Sequence, residues 1–218
     1  MVPAAVCMTP LPLPHPRPYR LGHRQVAVDR TRARILKAAR AVLVSPSGVA
    51  FSIDAVARRA RVTRATVYQR FGSRPKLLEA LFDDLARQGG MWDLAEAFRQ
   101  RDPDAALARF VAIFGRFWTL HRSIVGRLFA LSALDPALGR ALRARNEWRR
   151  DGLVKIVGRL SEHGTKRRAL DYSIDMLFTL TSFHFFDTLA GPDRAPTDVV
   201  PDVLRAARQV LGLARHRV

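Results

Sequence analysis

Along this chain, segments whose apolar residues recur every three or four positions alternate with short stretches of Ser, Asp, Pro and Gly. That period marks amphipathic helices packed on one face. Ile35, Leu36, Ala39 and Leu43 form one such face. A first helix is therefore expected from Asp29, a good N-cap, to about Val44, ended by Ser45-Pro46-Ser47-Gly48. A second begins behind Ser52, with Phe51 and Val56 at the spacing of a hydrophobic staple. Its inward residues Val56, Ala57 and Ala60 are small, which suits a helix crossing closely. A third, about 63–71, repeats the device with Thr63 as cap, Val62 and Val67 as staple, and Val67 and Phe71 toward the core. A fourth starts at Ser73, tolerates Pro75 in its first turn, buries Leu77, Leu78, Leu81, Phe82 and Leu85, and ends near Gly89-Gly90.

The remainder reads the same way. Asp102-Pro103 and Asp135-Pro136 are cap-plus-proline starts, and Phe110, Phe114, Phe117, Trp118 and His121 recur at helical spacing. Further helices are expected over about 136–162, 168–190 and 197–214. No segment sustains the alternation of a strand, so the predicted fold is all-α. Residues 1–28 hold six of the 13 prolines and are expected to form a disordered tail. Arg17, Arg20 and Arg24 in this tail either touch DNA backbone or are simply solvated.

Charge sharpens the picture. The net charge is +18, which points to polyanions or anionic surfaces. Residues 29–88 carry 13 basic and five acidic side chains, against 21 and 14 in the much longer stretch 89–218. The excess is thus densest where the short capped helices lie. A single cysteine, Cys7, excludes an internal disulfide or a Cys-based zinc site. No apolar run is long enough to span a membrane and no signal-peptide pattern opens the chain, so a cytoplasmic protein is expected. There is no nucleophile elbow, phosphate-binding glycine loop, HExxH or CxxC pattern, and the six histidines are scattered. Neither an enzyme nor a cofactor is expected. His184 and Asp187, three apart on a helix, are too few to hold a metal.

ILKAARAVL followed by FSIDAVARRARVTRATVYQRFGSRPKLLEALF resembles the DNA-binding domain of TetR-family (tetracycline-repressor-like) transcriptional regulators. The likeness covers about residues 29–85 and is ordered across four helices. It implies a three-helix helix-turn-helix domain over 29–88, with the motif at about 52–71, and an all-helical ligand-binding and dimerisation domain over 89–218. It further implies a sequence-specific regulator, repressor more often than activator, released from double-stranded DNA by a small-molecule effector. The rival readings are a DNA-architectural protein without a ligand and an enzyme without a recognisable motif. By the same resemblance the DNA-contacting residues are Ser52, Arg61, Thr63, Arg64, Ala65, Thr66, Tyr68, Gln69, Arg70 and Arg74. Thr66, Tyr68 and Arg74 would hold the backbone, and Arg64, Ala65, Gln69 and Arg70 would set sequence preference, with Gln69 or Arg70 the expected base reader. The family's turn usually carries Gly where this chain has Arg61. Either Arg61 adopts a left-handed conformation at a cost on the order of 1 kcal/mol, or the turn avoids it.

The resemblance also implies a homodimer on a palindromic or pseudo-palindromic operator, joined through the last two long helices. Two stripes compete for that interface: Leu170, Ile174, Leu177, Thr181, His184 and Thr188, or the richer Leu177, Leu180, Phe183 and Phe186. An effector cavity would draw on Phe98, Phe110, Phe114, Trp118, His121, Phe129, Trp148, Met176 and Phe183. On the 136–162 helix, Arg145 and Arg149 interrupt the stripe Leu138, Leu142, Leu153, Ile156 and Leu160. If buried they need a partner: Asp171, Asp175, Asp187 or an anionic ligand. If the stripe drifts through Trp148, both are solvated.

Overall fold

The computed structural model describes residues 20–45, 51–160 and 167–213, and among these every regular element is helical. Ten α-helices follow in order: α1 (Arg20–Leu43), α2 (Ile53–Ala60), α3 (Arg64–Phe71), α4 (Arg74–Gln88), α5 (Leu94–Arg99), α6 (Pro103–Leu134), α7 (Pro136–Leu160), α8 (Arg167–Leu180), α9 (Phe183–Ala190) and α10 (Val200–Val210). Two 3-10 turns, Met91–Asp93 and Pro196–Val199, lead into α5 and α10. No described helix is long and apolar enough to cross a membrane.

The small N-terminal bundle is built as its pattern dictates. Ile35, Ala39, Val56, Ala57, Ala60, Val67, Leu77, Leu78 and Leu81 are all buried in one core. The side chains of Ser52, Thr63 and Ser73 each accept a hydrogen bond from the backbone amide three residues on, starting α2, α3 and α4. Asp29, expected as the cap of α1, lies inside that helix, which begins at Arg20. The helix therefore enters the segment expected to be disordered. The prolines of that tail, and the stop signal Pro46-Ser47-Gly48, lie outside the described residues.

The long α6 is the axis of the larger bundle. Asp102 caps it, and it packs against α7, α5, α9 and α10 while also reaching α1 and α4. It bends at His121, whose backbone leaves helical values (φ −121°, ψ 16°). Gly115 on α6 permits the closest approach, since a Cβ there would stand 2.4 Å from Val200 Cγ2.

The expected helix over 168–190 is two helices. Thr181 Oγ1 donates back to the Leu177 carbonyl (2.8 Å), and Ser182 then caps a new helix through Phe185 N (3.2 Å). Side chains of this kind offer the backbone an alternative to helix continuation. The last helix likewise starts at Val200, after a 3-10 turn, rather than near 197. Of the two candidate dimer stripes, the richer one is wholly buried within the chain (Leu177, Leu180, Phe183 and Phe186), and Ile174, Leu177 and Thr181 of the other are buried as well.

Candidate nucleic-acid interface and cavity

The turn between α2 and α3 resolves the question posed by Arg61. Its backbone is left-handed (φ 51°, ψ 50°), the one described non-glycine residue with positive φ. Val62 N donates to Ala57 O (3.0 Å) and Arg61 N to Arg58 O (3.1 Å), the paired bonds that close a helix by a left-handed residue. Those bonds compensate the strain. The Arg61 side chain stays exposed.

Beyond the turn, α3 is anchored by Val67 and Phe71 alone and exposes Arg64, Ala65, Tyr68, Gln69 and Arg70. A helix so short has little packing of its own, so its caps and neighbours fix it. Thr63 Oγ1 accepts from Thr66 N (3.1 Å) and lies 2.8 Å from Thr66 Oγ1. Both threonines are therefore tied to the first turn, as is Ser52 to that of α2. Arg32 of α1 covers the Phe71 ring at 4.8 Å. Arg64 is held between Asp54 Oδ2 and Tyr68 Oη, each at 3.4 Å. The Tyr68 hydroxyl and then Asp54 raise the pKa of this exposed guanidinium. Gln69 and Arg70 carry no such tether among the described residues.

Arg74 lies differently from its neighbours. Its Nη1 donates to Asp135 Oδ2 (2.7 Å) and its Nε to Phe51 O (3.3 Å). The other carboxylate oxygen of Asp135 accepts from Ala137 N and Leu138 N, starting α7. One carboxylate thus caps a helix of the large bundle and grips the first residue of α4. A phosphate at Arg74 would have to share the guanidinium with Asp135.

Behind this motif lies a cavity of about 900 Å³. Its walls come from α1 (Asp29, Arg32, Leu36), α4 (Ala80, Phe82, Asp83, Asp84), α5 (Leu94, Phe98), α6 (Phe110, Phe114, Phe117, Trp118) and α7 (Arg145, Trp148, Arg149). Seven of the residues picked from sequence therefore line it: Phe98, Phe110, Phe114, Trp118, Arg145, Trp148 and Arg149. Four others in that set do not. His121 is buried edge-on to Phe117 (5.2 Å), with both ring nitrogens unpartnered and its pKa lowered, by burial first and then by Arg40. Phe129 stacks on Phe183 at 5.7 Å, away from the cavity, and Met176 is absent from its wall. Phe183 sits instead against Trp118 on the far side of α6, beside a shallow surface groove.

The two arginines of α7 have separate partners. Arg145 reaches Asp83 Oδ1 on α4 (2.7 and 2.9 Å), not an acid of α8 or α9. Arg149 is 6% exposed and meets no carboxylate among the described residues. It donates to the Phe178 carbonyl and to Thr181 Oγ1 (2.6 Å), and lies over the Phe178 ring at 4.0 Å. Asp175 pairs with the next residue, Arg150 (2.6 Å), and Asp187 with Arg122 (2.6 Å). Among the described residues no three His, Cys, Asp or Glu side chains converge as metal ligands.

A capped helix pair with a polar second helix, set on a larger helical bundle, defines a helix-turn-helix DNA-binding protein. Over residues 35–81 the chain matches the family model of bacterial regulatory proteins of the tetR family. It is a DNA-binding transcriptional regulator. Among solved structures it resembles a TetR transcription regulator from Haloarcula marismortui (14% identity, TM-score 0.65, covering 84% of this chain and 97% of that one). It is similar also to a transcriptional regulator from Rhodococcus sp. Rha1 (19%, TM-score 0.61, 84% and 94%). A third is a transcriptional regulator from Saccharomonospora viridis in complex with choline (16%, TM-score 0.62, 83% and 96%). At these identities the likeness is one of fold. No curated protein matches the chain.

Proposed function

We propose that the protein is a homodimeric repressor whose α3 helices read the two half-sites of a palindromic operator, and that a small molecule in the cavity releases it. The observation that carries this reading is the shared wall. α4 follows α3 after Gly72 and Ser73, and its Ala80, Phe82, Asp83 and Asp84 line the cavity. Whatever fills the cavity touches the helix that directly follows the reader. The choline held by the Saccharomonospora viridis regulator supports control by a small molecule. A cavity of about 900 Å³ is at the upper end of the range for small-molecule sites, which disfavours an architectural protein without a ligand.

On this reading Arg61, Thr66 and Tyr68 position the backbone, and Gln69 and Arg70 reach base edges. Ser52 and Thr63 act as caps first, since their hydroxyls already accept amides. Selection of bound duplexes from a random pool tests the proposal. Enrichment of a palindrome with half-sites about one helical turn apart, roughly 34–36 Å, is expected. Recovery of unenriched sequence, or binding as a monomer, overturns it.

A further inference from the structure

The cavity's chemistry is uneven in a way that selects among ligands. Most of its wall is apolar, contributed by Phe98, Phe110, Phe114, Phe117 and Trp118. Its charged residues are largely neutralised in pairs: Arg145 with Asp83 and Arg87 with Asp84. Arg32 is exposed over the Phe71 ring, and Arg149 alone of the arginines lining the cavity is buried. It lines the cavity while more than nine-tenths buried, its Nε has no hydrogen-bond partner, and both groups it does meet are neutral oxygens. The nearby Glu147 is exposed to solvent. Burial pulls the Arg149 pKa down to about 9, which still leaves it charged at neutral pH. A buried cation without a counter-ion is costly. The α8 carbonyl end, at Phe178, offsets part of that cost.

We propose that the effector is an amphipathic anion, a carboxylate joined to an apolar body, with its carboxylate on the Arg149 guanidinium and its body among the aromatic rings of α6. This rests on the reading of the cavity as the effector site and adds its charge class. A free guanidinium edge beside an apolar wall suits a carboxylate, whose charge-assisted bonds are strong when dry. A cationic ligand at Arg149 would meet a like charge, while Asp83 and Asp84 of the same wall are already engaged by Arg145 and Arg87. The rings of Trp92 and Trp148, both 74% exposed, stand at the rim and give an apolar body its way in.

Matched probes test this on the full chain: decanoate, decanol and decyltrimethylammonium, and likewise 1-naphthylacetate with its neutral amide. Binding is read by tryptophan fluorescence and release by operator-duplex anisotropy. At least one carboxylate is expected to bind about tenfold to a hundredfold tighter than its uncharged counterpart. Arg149→Met should abolish that preference while Arg149→Lys keeps part of it. Equal or tighter binding by the neutral or cationic probes, or no binding by either carboxylate, overturns the proposal. The wild-type comparison decides this even if the Arg149 variants do not fold. Carboxylate binding that leaves the duplex bound would sink effector control while sparing the anion site. Release by the cation alone would do the reverse.

Discussion

Replacing Arg61 by glycine should stabilise the protein and weaken its hold on DNA. At φ 51° and ψ 50° an L side chain crowds the following carbonyl, whereas glycine does not. The difference is about 1 kcal/mol, reduced somewhat by the extra freedom glycine gives the unfolded chain. In a chain of this size that corresponds to a melting temperature about 2–4 °C higher. The Arg61 side chain makes no hydrogen bond among the described residues and projects beside α3, so removing it costs nothing in the free protein. On DNA it removes one cation per protomer. A dimer that loses two phosphate contacts should show a slope of log affinity against log salt shallower by about 2. Arg61→Ala separates the two effects: it should flatten the salt slope as Gly does but bring no thermal gain, because its φ remains positive. Calorimetric melting and anisotropy titrations at several salt concentrations measure both. If Arg61→Gly melts no higher than the parent, or Arg61→Ala melts equally high, the strain argument is wrong. An unchanged salt slope in both variants would show that Arg61 does not face the phosphates.

Other expectations follow from the same geometry. His121 is buried with a lowered pKa, so the unfolded chain binds its proton first; stability should fall as pH drops below about 6.5, and His121→Phe should remove that part of the pH dependence. The Asp104 carboxylate, depressed by its bonds to Arg208, contributes stability above the ordinary aspartate range that is lost as pH falls through its lowered value; Asp104→Asn should flatten the acid limb of the same curve. Asp135→Ala removes both the cap of α7 and the partner of Arg74, and should lower the melting temperature more than Arg74→Ala does, whereas Asp135→Ser should restore part of the cap alone. Gly115→Leu should destabilise severely, since even a Cβ there meets Val200 and Phe186, and thermal melting would show it.

The helix starts were legible because capping is local: a hydroxyl or carboxylate three residues before its amide partner is visible in the sequence at Ser52, Thr63, Ser73, Asp102 and Asp135. The cap at Asp29 failed for the same reason in reverse, since nothing local at Asp29 stops a helix arriving from upstream. The break at Thr181-Ser182 was hidden by the apolar run on either side, where Leu177, Leu180, Phe183 and Phe186 continue a helical stripe across it. The out-of-place arginines of α7 were recognisable as anomalies, yet the partner of Arg145 stands on α4, a pairing that only tertiary packing creates. The same holds for the cavity. Its aromatic wall on α6 could be picked from spacing, whereas the contribution of α1 and α4 depends on how the small bundle seats against the large one. Arg74 shows the limit most clearly. The family resemblance placed it on a phosphate, and the fold gives it Asp135.

The central claim is that the outward face of α3 reads base sequence. It is tested most directly by selecting bound duplexes from one random pool with the parent, Gln69→Ala and Tyr68→Phe proteins side by side. The account predicts that Gln69→Ala relaxes preference at one base pair, symmetrically in both half-sites, at a cost of roughly 1–3 kcal/mol, while Tyr68→Phe weakens every sequence alike. Identical sequence profiles for the parent and for both Gln69→Ala and an Arg70→Ala control would contradict it.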